Sequence, residues 1–295
     1  MSFDLYLYKD KNSKIIEQDV STYLNNCSPF INNDEYPNQW YYSNNETGVY
    51  FIIEQNGIEE AESIENFDNF ISLNFSCFIN YFRPTYFSLE IFPLIDKLIE
   101  DLDLYILNPQ DFEIDIPHKF EKGYLERQWI EQNNKFCFNY YKEYNLDYYP
   151  LEESNYVWEY MCQRNNIQDC STEDIFVCGI FFIKNKYDNS IHTFAVWTEG
   201  IPIIIPPVDF IVIRKKYRKI FKTIEESGLV SYELIMDKFK DYFKPLEHEI
   251  PNLKILNSTD AARIKKEFNK IKIWKITDQF GTVIAKDSFV NAKPH

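Results

Sequence analysis

Over the first 107 residues the apolar periodicity switches between two and 3.6, and the order of the switches leaves few folds open. Phe3 to Tyr8 reads F-D-L-Y-L-Y, the alternation of a half-buried strand. Residues 14–27 space Ile16, Val20, Tyr23, Leu24 and Cys27 along one helical face, with Asp10 or Ser13 as the expected cap. Strands follow at 47–54 (TGVYFIIE) and 70–82 (FISLNFSCFINYF). Pro84 then opens a helix with Phe87, Ile91, Leu94, Ile95, Leu98 and Leu102 on one side, Pro93 marking a kink or the true first turn. Leu104 to Leu107 is a short last strand. The order β-α-β-β-α-β predicts a ferredoxin-like domain over residues 1–112, with four antiparallel strands and two helices on one face.

Residues 113–173 change character. Aromatic and aliphatic residues recur at helical spacing over 119–144 and 152–167, Pro150 separates them, and a helical connector is expected. Residues 174–295 read as an α+β domain with a mostly antiparallel sheet. IFVCGIFFIK and IHTFAVWTE flank the polar NKYDNS as a hairpin, and IPIII and VDFIVI meet at Pro206-Pro207. Helices are expected at 231–243 and 258–270, capped by Ser231 and Ser258, before a closing strand pair of IKIWKIT and TVIAKDS.

A chain of 295 residues suits two domains, and 25 Phe, 22 Tyr and 5 Trp supply ample material for two cores. Seven glycines argue against a Gly-rich phosphate loop. The six cysteines form no CxxC pair and are expected to be reduced. The N-terminus lacks the basic and apolar regions of a signal peptide, and no apolar run reaches the roughly 20 residues that span a bilayer, so a cytoplasmic protein is expected.

Charge is divided unevenly. Residues 1–112 hold 19 Asp/Glu against 5 Lys/Arg, residues 113–173 hold 12 against 6, and residues 174–295 hold 15 against 20. Such an acidic surface repels nucleic acid and anionic membrane and attracts a basic protein. The connection GIEEAESIENFD concentrates it in Glu59, Glu60, Glu62 and Glu65, which are read as partner-binding residues or as a solvated loop. Arg83 lies in NYFRPTYF among Tyr81, Phe82, Tyr86 and Phe87, where it can stack on a ring or grip a carboxylate. It is the fifth member of the partner-binding set, and an internal pair with one of the acids is its plainer reading.

Motifs that carry chemistry are scarce. His118, His192, His248 and His295 fit no zinc pattern, so no metal or cofactor is expected. Cys178 and His192, placed on the two strands of one hairpin, read as ordinary sheet residues, because a turn centred on Tyr187 sets His192 opposite Phe182. Asp111, Glu113 and Asp115 alternate as one solvated strand face. The run from Arg214 to Lys222 packs six cations, for which the acidic part of the same chain, or water, is the nearest partner.

The strings MSFDLYLYK, NNETGVYF, NYFRPTYF and LNPQ, in that order, resemble an uncharacterised family of stand-alone, Bacteroidota-like bacterial proteins over residues 1–110. The resemblance implies a cytosolic bacterial protein and brings no active-site residue. In kind, an acidic, aromatic-rich and motif-free chain is similar to the immunity proteins that neutralise toxin domains. The expectation is a non-enzymatic binding protein that docks its acidic surface on a basic partner such as a toxin domain. The alternative is an enzyme of unknown class with its site between the two domains, using carboxylates and Arg83.

Overall fold

The computed structural model describes residues 1–27, 29–57, 67–171, 174–219 and 222–294, and shows a mixed α+β protein of two compact units. The first comprises Met1–Leu146 and Phe289–His295, the second Asp147–Ser288. The two helices expected as a connector are present, one in each unit. Among the described residues no helix is long and apolar enough to cross a membrane.

In the first unit the strands are β1 (Ser2–Asp10), β2 (Ile31–Asn32), β3 (Gln39–Asn44), β4 (Val49–Gln55), β5 (Phe70–Asn80) and β6 (Tyr105–Leu107). They form one antiparallel sheet in the order β2-β3-β4-β5-β1-β6. The sheet expected to have four strands therefore has six, because β2 and β3 fold from a segment without clean alternation. Its buried face is continuous across strands: Trp40 opposes Ile53, Ile53 opposes Cys77, Cys77 opposes Leu5, and Leu7 opposes Ile106. Helices α1 (Glu17–Asn26) and α2 (Tyr86–Leu102) cover that face, Trp40 donating to Asn25 Oδ1 and Phe3 packing edge-on to Phe92. Neither Asp10 nor Ser13 caps α1; the Asp19 carboxylate instead accepts from the Ile16 amide at 2.9 Å. α2 runs through Pro93 without ending there. Helix α3 (Tyr124–Tyr140) packs on α2 and sends Asn133 to the chain that leaves β5, as described below.

The second unit opens with α4 (Leu151–Cys170) and β7 (Phe176–Val177), followed by β8 (Phe181–Asn185), β9 (Ile191–Thr198), β10 (Ile203–Ile205), β11 (Phe210–Lys219) and β12 (Lys222–Ser231). Next come α5 (Tyr232–Lys238), β13 (Lys244–Pro245), β14 (Lys254–Leu256), α6 (Ser258–Phe268), α7 (Thr277–Phe280) and β15 (Gly281–Ile284). Two sheets result, β13-β14-β10-β7 and β12-β11-β9-β8-β15, antiparallel except for the pairs β7–β10 and β9–β11. The run IFVCGIFFIK is thus split between sheets, β7 in one and β8 in the other. The expected closing pair does not form: β15 pairs with β8, while Lys275 bridges to Leu229. Asn257, not Ser258, caps α6, accepting from the Asp260 amide at 2.8 Å. Trp197 is the centre of the core, with the rings of Phe239, Phe243 and Phe268 at 5.9, 5.4 and 4.7 Å.

Candidate interaction face

Because one face of the six-stranded sheet carries the helices, strand alternation sends the other set of side chains to the opposite side. Tyr41, Ile52, Phe78 and Asp4 form one row across four strands, and Gln39, Glu54, Ser76 and Tyr6 form the next. Ser76 is buried, but Tyr6, Tyr41 and Phe78 are half-exposed and Ile52 is exposed. Asp4 lies beside two phenols. Burial first, and the Asp4 carboxylate second, push the Tyr6 and Tyr81 hydroxyls above the usual tyrosine range. The face is an aromatic and aliphatic platform that includes the carboxylates of Asp4 and Glu54.

Arg83 stands at the end of this face. Its Nη2 donates to Tyr50 Oη at 2.6 Å, and the guanidinium carbon lies 5.6 Å from the Tyr50 ring centre. Asn133 of α3 locks the backbone beneath it, accepting from the Phe82 amide at 2.8 Å and donating to the Arg83 carbonyl at 2.9 Å. Phe82 has φ +60, a conformation that a bulky residue adopts only where its surroundings enforce it. The ring that Arg83 meets is Tyr50 of β4, not one of the four aromatics that surround it in the sequence.

Glu59, Glu60, Glu62 and Glu65 lie outside the described residues. The residues that flank them, Gln55 and Phe67, are at the opposite end of β4 and β5 from Arg83, and β5 alone spans roughly 35 Å. Nothing described brings the two parts of the set together.

Three other readings change. The acids of DFEIDIP do not share a strand face, because residues 108–117 form no strand. Asp111 turns inward, accepting from Tyr124 Oη at 2.7 Å and from the Glu113 amide at 3.0 Å, while Phe112 is left 94% exposed beside Glu113 and Asp115. Two cations of β11 find partners on the adjacent strand. Lys216 opposes Glu225 and bonds it at 2.6 Å, and Lys215 opposes Glu226 at 2.8 Å. His192 opposes Ile183, not Phe182, and Cys178 is a buried loop residue whose thiol is pushed up to about 12 by desolvation.

Sequence reasoning missed a line of three polar residues in the second unit. His192 Nε2 is 2.9 Å from Ser190 Oγ, and its Nδ1 is 3.8 Å from Asp209 Oδ2. The order suits nucleophile, base and acid, but the hydrogen bonds do not. Ser190 Oγ donates to Asp188 at 2.6 Å, and Asp209 accepts from the Thr193 amide at 2.7 Å and its hydroxyl at 3.0 Å. The line ties the β8–β9 turn and β9 to the residue that precedes β11.

The strings MSFDLYLYK, NNETGVYF, NYFRPTYF and LNPQ meet in the first unit. Arg83 meets Tyr50, Tyr86 Oη donates to the Thr47 carbonyl at 3.4 Å, and the Asp4 amide donates to Gln110 at 3.2 Å. Glu90, three residues beyond them, accepts from Asn44 at 2.7 Å and Thr47 at 3.2 Å. Compared with protein-family models, curated proteins and solved structures, the chain matches none.

Proposed function

We propose that this chain is a non-enzymatic binding protein whose first unit docks on a basic protein through the half-open sheet face. One observation carries the reading: the first unit holds 25 Asp/Glu against 11 Lys/Arg, whereas the second holds 21 against 20. Charge of one sign, gathered in the unit that exposes Ile52 and Phe112, steers a basic partner and meets it with apolar anchors. Arg83, held on Tyr50, borders the contact, and the run Glu59 to Glu65 adds long-range attraction.

The reading extends to a ferredoxin-like core in the first unit, which the neighbour order β4-β5-β1-β6 with α1 and α2 on one side favours, β2 and β3 being an extension. It also places the chain in a bacterial cytosol, with a toxin domain as the kind of partner that an immunity protein meets.

The test uses the full chain as bait in its native lysate, then purified partner. A basic protein should be captured, and Ile52→Lys should weaken its binding at least about ten-fold without changing the unfolding midpoint. Capture of acidic proteins alone, or full affinity in the Ile52→Lys variant, contradicts the proposal.

A further inference from the structure

The first unit also contains a pocket apart from the sheet face. Between the C-terminal half of α2 and residues 118–125 lies a cavity of 320 Å³, near the lower limit of about 300 Å³ for ligand sites and sized for one side chain. Ile99, Ile106, Phe120 and Leu125 form the apolar part of its wall. Asp96, Glu100 and Asp103 stand among them, with His118, Lys119 and Lys122.

These charges are not equivalent. Asp103 is neutralised by Lys119, whose Nζ also lies 4.7 Å from the Tyr105 ring centre. Asp96 and Glu100 are one turn apart on α2, hence neighbours on its surface, and neither side chain is hydrogen-bonded or ion-paired among the described residues. Burial raises the Asp96 pKa, Glu100 and Glu126 raise it further, and only Lys122 opposes them. The pocket thus joins an apolar slot to two carboxylates that form no direct ion pair among the described residues, with Lys122 as the cation that acts on Asp96.

We propose that this pocket receives an arginine side chain of the basic partner, its stem along Ile99 and Phe120 and its guanidinium between Asp96 and Glu100. The planar fork suits paired carboxylates better than an ammonium does, and the methylenes match the walls. An anion would meet Asp96, Glu100 and Glu126 against Lys122. The inference rests on the docking reading for the source of the arginine, but the pocket can be tested without a partner.

The probe is Nα-acetyl-arginine amide, titrated into the isotope-labelled full chain and followed by the backbone amide signals of residues 96–125. Saturable shifts there are expected, with norleucine amide producing none. The double variant Asp96→Asn, Glu100→Gln should bind at least about ten-fold more weakly, its spectrum outside the pocket unchanged. Equal binding of norleucine amide, or full affinity in the double variant, overturns the inference. Specific arginine binding with no basic protein captured would sustain the pocket and refute the docking reading. A captured partner that binds the double variant at full strength would do the reverse.

Discussion

Asp96 carries a charge that its surroundings oppose. Its pKa is raised above the ordinary 3.8, so the folded protein holds this proton to higher pH than the unfolded chain. Stability is therefore lost as pH rises from the ordinary aspartate value through the folded one. Asp96→Asn removes that loss and should stabilise at neutral pH, by less than about 1 kcal/mol because water screens a half-exposed carboxylate. The gain should vanish below pH 3.8, and thermal melts across pH check both halves of the statement. The cysteines give a second residue-scale expectation. Desolvation pushes the Cys77, Cys137 and Cys178 thiols up to about 12, while Cys162 and Cys170 are exposed. Thiol titration at pH 8 should modify Cys162 and Cys170 first, Cys27 more slowly, and the other three only on unfolding. Rapid reaction of Cys178 in the native protein would contradict its burial.

The β11–β12 hairpin shows how an element can answer its own charges. Lys215 is buried, and besides Glu226 its Nζ donates to the carbonyls of Ile271 at 2.7 Å and Asn269 at 3.3 Å. Lys215→Ala should cost about 2–3 kcal/mol in urea unfolding, since three acceptors lose a charged donor. Lys216→Ala, at a solvent-exposed pair, should leave the midpoint unchanged. Equal effects would deny the contrast between the two cross-strand pairs. Gly281 sets the approach of β15 to β8: a Cβ there would stand 2.2 Å from the Lys184 carbonyl oxygen. Gly281→Ala should cost about 2 kcal/mol, measured the same way. What could be read in advance followed from local pattern. β1 and α2 carry enough apolar period to declare themselves, Phe3, Leu5 and Leu7 in one and Phe87, Ile91 and Ile95 in the other. β3 does not, because Trp40, Tyr41 and Tyr42 run together and Trp40 is held inward by its bond to Asn25 of α1. The apolar run from Ile175 to Ile183 likewise shows no sign of which part joins which sheet.

At the scale of the molecule, the charge split was legible from composition, but its boundary was not. Residues 113–146 look like a connector, yet α3 packs on α2 and Asn133 holds the Arg83 backbone, so those residues belong to the acidic unit. Nor could Lys215 and Lys216 be assigned to Glu226 and Glu225 before the hairpin register was known. The aromatic platform was harder still to foresee, since Tyr41, Ile52 and Phe78 come from three strands and meet only through pairing. Its importance, and that of the surrounding charge, can be measured together. The most direct measurement is the association rate of the captured basic partner as a function of ionic strength. The rate should fall at least about ten-fold between about 0.01 M and 0.15 M salt, with dissociation little changed, as attraction between exposed charges is screened. A rate that does not vary with salt would show that the acidic unit does not steer the encounter.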